Sequence, residues 1–483
     1  AVLRTYARLQ SDRKPELLNV QGYSGDGSPF SLTNYREMER VTEQWLALAT
    51  QAEEINALLP EEATAAYYQL VLYPVKASAL MYELRLAGFS NLLYAEQGRA
   101  AANDMAALAE ERLLQSQELR DVYHTISDGK WEGFQTQTVL GYDDWQQPSS
   151  SKDFIYPRLS SVEVPDGASM GVAIDGSEDF WVATVDEPAE EGERPRLPSL
   201  APYQTAPAPY IEVFRRGTEA LDYQIEVAPE AAWLSLSRTE GTLDASTPEQ
   251  RIQLEVEDWA AVPEGNTSLV LTIKNLTDGS AVEVEAPIEK PAASPQPGAF
   301  VESGGYVSFE AAHARARIID ADEIHWQLIP GIGRTGDGLT PFPVTAERQT
   351  PGSDGTPRLE YDLHLFSSGP ITVWTYLSPR QNTYPTDGLK IAVSLDDGDP
   401  EVINITTDLD TAAFPLYKHG WQMGVADNVH RVPAEFEVAE AGAHVLKLWM
   451  VDPSVVVQKF VVDTGGLRDS YLGPPPSYVM PAE

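Results

Sequence analysis

The periodicity of this chain changes once and does not change back, which restricts its fold more than any other feature. Up to about residue 150, apolar residues recur every three or four positions. Met38, Val41, Trp45, Leu48, Ala52, Ile55 and Leu59 fall on one stripe of a helix. Pro60-Glu61-Glu62 begins the next helix, since proline fits a first turn and acidic side chains favour the positive end of the helix dipole. That pattern runs through Tyr67, Leu70 and Val71 past Pro74. A kink or break is expected at Pro74, because proline has no N–H and crowds the preceding turn. A third helix is expected from Arg99 to about Tyr123. Beyond Pro148, apolar and polar residues alternate in short runs punctuated by Pro and Gly, the pattern of antiparallel strands. Helices and strands are never interleaved, so no βαβ unit and no parallel barrel is expected.

The expected architecture is therefore a multidomain α and β chain. An N-terminal helical bundle occupies 1–155, followed by an immunoglobulin-like β-sandwich with a Pro/Glu-rich spacer at 156–290. A linker spans 291–298, a C-terminal jelly-roll β-sandwich 299–473, and a tail 474–483. The spacer, at 187–209, is read as too polar to fold alone. The final run, LKLWMVDPSVVVQKFVVDTGGLRDSYLGPPPS at 446–477, reads as two closing strands and an extended, proline-stiffened tail. A length of 483 residues fits about three domains of ~100–200 residues. With 34 basic against 73 acidic residues the net charge is −39, which repels phosphate backbones and excludes nucleic acid as a partner. There is no cysteine, so disulfides and thiolate metal sites are excluded. No apolar run of ~18 residues occurs, so no membrane partner is expected.

Several fragments resemble one family in their order along the chain: RKPELL (13–18), NYREMERV (34–41), YYQLVLYPVKA (67–77), YHTISDGKW, GYDDW, and finally WMVDP, QKFVVDTGGL and SYLGPPPS. They are similar to the C-terminal portion of glycoside hydrolase family 115, the xylan α-1,2-glucuronidases. The resemblance implies an intact enzyme that removes 4-O-methylglucuronic or glucuronic acid from xylan side chains without an organic cofactor. It places the catalytic residues on a barrel and a preceding domain, expected upstream of Ala1, so no catalytic residue is nominated here. It also implies as partners the missing N-terminal catalytic region, glucuronoxylan or a related polysaccharide, and a second copy in a homodimer, in the periplasm or outside a bacterial cell. The rival reading is a stand-alone carbohydrate-binding or scaffold protein that uses Trp326, Trp374, Tyr376 and Trp421 as exposed aromatic platforms.

With 73 acids, no carboxylate pair for glycosidic hydrolysis stands out. The substrate-facing candidates are Lys130, Trp131, Tyr142 and Trp145, in a run whose rings suit either sugar faces or the end of a bundle. Arg334 joins them, on an expected exposed loop from which it could grip a uronate carboxylate bidentately. Its surroundings, residues 331–336, match GxGxxG, but Pro341 and Pro343 follow and no helix can begin, so a dinucleotide site is rejected. Glu310 and Asp463, at two strand ends, are the candidate oxygen ligands for a structural calcium, although Ala312 stands where similar carbohydrate-binding modules carry a second acid.

Overall fold

A computed structural model describes residues 1–14, 17–18, 28–136, 158–185, 194–313, 317–320, 323–353, 355–383, 387–406 and 421–482. The helical region contains α1 (Val2–Asp12), α2 (Glu37–Leu58), α3 (Glu61–Tyr67), α4 (Tyr73–Glu96) and α5 (Ala102–Gly129). The expected stripe of α2 points inward: Met38, Val41, Trp45, Leu48 and Ala52 are buried. Trp45 stacks on Tyr82 of α4 with ring centroids 5.4 Å apart. The expected division of the second helix falls just ahead of Pro74. A π-helical turn, Tyr68–Leu72, joins α3 to α4 and leaves Pro74 in the first turn of α4. The Tyr73 N–H donates to the Tyr68 carbonyl, one residue further back than in an α-helix, so the wider turn takes up the distortion that proline imposes.

Two sandwiches follow, antiparallel among their named strands except for the parallel pair Phe300–Val301 and Arg358–Leu365 in the second. In the first, one sheet orders its strands Phe180–Val182, Met170–Ile174, Tyr210–Arg215, Glu249–Val256 and Leu234–Leu236; the other runs Glu240–Leu243, Leu221–Glu226, Gly265–Asn275 and Ala281–Lys290. Alternate residues such as Leu221, Tyr223 and Ile225 turn into the space between the sheets, as a period of two requires. In the second, Phe300–Val301, Arg358–Leu365, Gly442–Met450, Lys390–Leu395 and Glu401–Asn404 form one sheet, with Arg317–Ile319 pairing at Arg358–Leu365. The facing sheet orders His325–Ile329, Gly338–Phe342, Val457–Asp463, Gly369–Leu377 and His430–Val438, with Tyr306–Glu310 also pairing with Val457–Asp463. The core is shared by both sheets, through Phe309, Tyr361, Leu448 and Phe460 among others. A short helix, α6 (Trp421–Asp427), precedes strand His430–Val438. No helix among the described residues is long and apolar enough to cross a membrane.

Two stretches read as loose are held. Residues 194–201 of the spacer lie along strand Ala281–Lys290: the Leu197 N–H donates to Glu285 O at 2.9 Å, and the Leu200 N–H to Pro287 O at 2.9 Å. Leu197 and Leu200 are buried in the first sandwich while Arg194 and Arg196 pair with Glu283 and Glu285, so apolar burial and ion pairs together seat a polar segment. The tail is extended, as expected, but it does not run free. The Val301 N–H donates to Tyr478 O at 2.9 Å and the Met480 N–H to Ala299 O at 3.0 Å.

Candidate functional site

The segment after the last strand joins all three parts of the molecule. Asp463 turns it, its Oδ1 accepting the N–H groups of Gly465 (2.8 Å) and Leu467 (3.2 Å). The chain then passes Gly304-Gly305 so closely that a Cβ on Gly466 would stand 2.4 Å from the Gly304 carbonyl oxygen, which only glycine avoids. Arg468 reaches both other parts. Its Nη1 donates to Asp175 Oδ1 of the first sandwich at 2.9 Å, and its guanidinium lies 4.3 Å from the ring of Tyr35 in the helical region. Its backbone N–H donates to the Tyr35 hydroxyl at 3.1 Å. Tyr35 and Arg36 both take positive φ, 56° and 49°, an unfavourable conformation for side-chain-bearing residues that such contacts must sustain.

Glu37, in the first turn of α2, is fully buried and receives this segment. Its carboxylate accepts the N–H groups of Tyr471 (2.9 Å), Leu472 (2.7 Å) and Ser31 (2.8 Å). Burial raises its pKa, and those three donors only partly oppose the shift. The Tyr471 ring meets Phe30 edge-on at 5.1 Å and carries Arg13 and Arg334 at 4.9 and 4.3 Å. Lys459, on the last strand, donates to Pro474 O at 2.9 Å, and burial pulls its ammonium pKa down to about 8. Asp12, closing α1, lies in the same layer. Burial pushes its carboxyl up to about 7, against Arg8 and Arg334 and with the help of Glu37 and Glu310.

A second ionic layer binds the helical region to the first sandwich. Arg251 donates to Glu39 at 2.6 and 2.7 Å and to Glu212 at 2.8 and 3.0 Å, while Arg99 reaches Glu212 at 2.8 Å and Glu249 at 3.0 Å. Burial would raise the Glu212 pKa, but Arg99 and Arg251 outweigh it and hold the carboxyl below its usual range. Arg99 and Glu212, the most deeply buried of these charges, tolerate no loss of a partner.

The substrate-facing candidates do not converge. Lys130 lies 5.0 Å from the Trp131 ring, and Trp131 packs beside Tyr73, Leu119 and Tyr123 at the end of the bundle. Tyr142 and Trp145 lie outside the described residues. Arg334 is a correction. It is 2 % exposed rather than presented to solvent, with its N–H on Gln458 Oε1 at 2.8 Å and its guanidinium on the Tyr471 carbonyl. Its loop closes on itself, Gly331 N–H donating to Asp337 Oδ1 and Gly333 N–H to Gly336 O, which turns the side chain inward. The calcium pair is a second correction. Glu310 stands opposite Lys459 and Asp463 opposite Tyr306, four residues or about 13 Å apart along the paired strands. Glu310 instead accepts the Thr335 hydroxyl at 2.7 Å. Among the described residues no group of three or more His, Asp or Glu side chains could hold a metal. Of the proposed aromatic platforms, Trp326 and Tyr376 are buried at 8 % and 4 % exposure, and Trp374 packs partly buried beside Tyr376.

Sequence reasoning missed Tyr35, Glu37, Asp12, Lys459 and Arg468. A signal existed, because the fragments NYREMERV and SYLGPPPS, given for a resemblance, meet in space at Glu37 and Tyr471, with Arg468 just ahead of the second fragment reaching Tyr35.

Residues 299–476 match the family model of the glycosyl hydrolase family 115 C-terminal domain. The second sandwich is therefore the part of the chain that carries the family signature. No curated protein matches the chain significantly. Among solved structures, a family 115 4-O-methyl-α-glucuronidase described as specific for decorated arabinogalactans is similar over 95% of this chain, at 13% identity and a TM-score of 0.48. This chain spans 38% of the length of that one. A family 35 carbohydrate-binding module from Clostridium thermocellum matches 32% of this chain and 97% of its own, at 8% identity and a TM-score of 0.22. The C-terminal family 6 carbohydrate-binding module of a marine laminarinase from Zobellia galactanivorans matches 33% of this chain and 98% of its own, at 16% identity and a TM-score of 0.21.

Proposed function

We propose that this chain is the non-catalytic C-terminal part of a xylan α-1,2-glucuronidase, a glycoside hydrolase that releases 4-O-methylglucuronic or glucuronic acid from xylan side chains. The observation that carries the reading is the family 115 C-terminal signature over 299–476. The geometry supports it, because the conspicuous charged and aromatic side chains are spent on joining helices to sandwiches: Arg468 on Asp175 and Tyr35, Glu37 on the C-terminal segment, Arg251 on Glu39 and Glu212. Such a body suits a support against which a catalytic barrel packs and through which two copies dimerise, in a periplasmic or secreted enzyme.

The test supplies a separately produced family 115 catalytic region to the purified chain. The reading expects a stable complex by size exclusion and faster uronic acid release from glucuronoxylan than the catalytic region gives alone. Absence of both complex and stimulation counts against it. The alternative of surface carbohydrate recognition by the second sandwich loses two of its four aromatic candidates, since Trp326 and Tyr376 are buried.

A further inference from the structure

Neither ring nitrogen of His364 has a hydrogen-bond partner among the described residues, although the residue is only 5 % exposed. A neutral imidazole carries one donor and one acceptor, so this position forgoes two hydrogen bonds that water would supply. His444, on the neighbouring strand, is the contrast. Its Nδ1 lies 2.8 Å from Asp396 Oδ2 and its Nε2 lies 3.0 Å from Glu440 O, so a charged ring there would find an acceptor on each side.

The isolated ring lies where the spacer of the first sandwich, the second sandwich and the tail meet. Strand pairing sets His364 between Val301 and Ala443. Val301 is fully buried, and its N–H is the one that donates to Tyr478 O of the tail. The Phe366 ring meets His364 edge-on at 4.9 Å. Phe366 in turn stacks on Tyr203 of the spacer at 6.2 Å, and Tyr203 meets Tyr478 at 5.5 Å. A run of four rings therefore connects the imidazole to the tail. A proton on His364 would make both nitrogens donors and add a charge beside aliphatic and aromatic neighbours. Two other titratable groups act on it, His444 and Glu302. The Glu302 carboxylate is already occupied, accepting the N–H groups of Phe366 (2.5 Å) and Ser367 (3.0 Å) and the hydroxyls of Ser367 and Thr464 (both 2.6 Å). Burial, with a smaller contribution from His444, outweighs Glu302 and lowers the His364 pKa below 6.5.

We infer that His364 is a pH-sensitive latch: in acid its ring takes a proton and leaves its place beside Phe366, and the tail is released from strand Phe300–Val301. The sign follows from the burial. An opened seam exposes the ring to water and binds the proton more readily than the closed one, so the closed form is favoured above about pH 6.5 and loses ground as pH falls below it. The inference goes beyond the reading of the chain as part of a larger hydrolase and holds or fails independently of it.

The test is hydrogen–deuterium exchange of the whole 483-residue chain from about pH 7.5 down to about pH 5, corrected for the intrinsic effect of pH on exchange. The amides of Gly298, Val301 and Met480, which donate between tail and strand, report the latch. Their exchange should quicken by up to about 10-fold per pH unit below 6.5, while the amides of strand Leu221–Glu226 in the first sandwich stay unchanged. His364→Phe keeps a ring that cannot titrate and should remove the acid response, whereas His444→Phe should retain it. His364→Leu replaces the Phe variant if circular dichroism shows that the larger ring prevents folding. The inference is overturned if the native chain shows no acid response at these amides, or if the response spreads equally to Leu221–Glu226. It is also overturned if the response persists in a folded His364 variant, which would assign it to Glu302 or another carboxyl.

Discussion

Replacing Asp12 by Asn probes the buried layer between α1 and the second sandwich. Asp12 is 2 % exposed, its Oδ1 has no hydrogen-bond partner, and its nearest cation, Arg8, lies 3.4 Å from the other oxygen. Burial therefore dominates, and the carboxyl pKa rises from 3.8 to about 7. The folded state holds the proton more tightly than the unfolded state. The native chain accordingly loses stability as pH rises from the unfolded pKa toward the folded one, and the loss levels off above about pH 7. The full cost is on the order of 4 kcal/mol, of which roughly 2–3 kcal/mol accrues between pH 5 and pH 8. Asn carries no charge and keeps the shape, so it removes that dependence. Urea unfolding of both proteins across this range, followed by tryptophan fluorescence, gives the difference directly. Asp12→Asn should gain on the native chain by that amount from pH 5 to pH 8 and be the more stable protein at pH 8. A variant less stable at pH 8, or a difference that does not move with pH, would mean that Arg8 and Arg334 compensate the charge and that the argument from burial is wrong.

Lys459 shows the opposite sign. Its folded pKa is lowered to about 8, so the native chain should gain stability relative to Lys459→Met as pH rises from about 8 to 10.5, measured by the same unfolding assay. Arg468→Met leaves Asp175 buried without its cation and should cost about 3 kcal/mol in thermal unfolding. Much of that should return in the double variant Arg468→Met/Asp175→Asn. Gly466→Ala forces a Cβ to 2.4 Å from a backbone oxygen and should destabilise by about 1–3 kcal/mol, read as a lower midpoint in urea. Deleting residues 467–483 removes two of the three N–H donors to Glu37 and the Arg468 link, so limited proteolysis should cut between the helical region and the second sandwich faster than in the whole chain.

The periodic parts of the fold were legible because burial repeats along the chain. The α2 stripe and the alternation in Leu221–Glu226 each announce their inner face. The junction was not legible, because its partners are single residues far apart in sequence. Glu37 and Leu472 are separated by 435 positions, and nothing local marks either as a partner of the other. The inward turn of Arg334 depends on a self-closed loop and on a tyrosine brought back by the C-terminal segment, neither of which composition reveals. The calcium pair failed on register. Glu310 and Asp463 each end a strand, but the antiparallel pairing places those ends apart. The spacer was read as too polar to fold alone, and from residue 194 it is held on strand Ala281–Lys290 by backbone hydrogen bonds, the ion pairs of Arg194 and Arg196 and the buried Leu197 and Leu200.

Incubation of the purified 483-residue chain alone with glucuronoxylan, with liberated acidic sugar quantified by anion-exchange chromatography, tests the central claim most directly. The account predicts no 4-O-methylglucuronic or glucuronic acid above a heat-denatured control. Sustained, enzyme-dependent release of either acid would contradict it and place a catalytic centre within these residues.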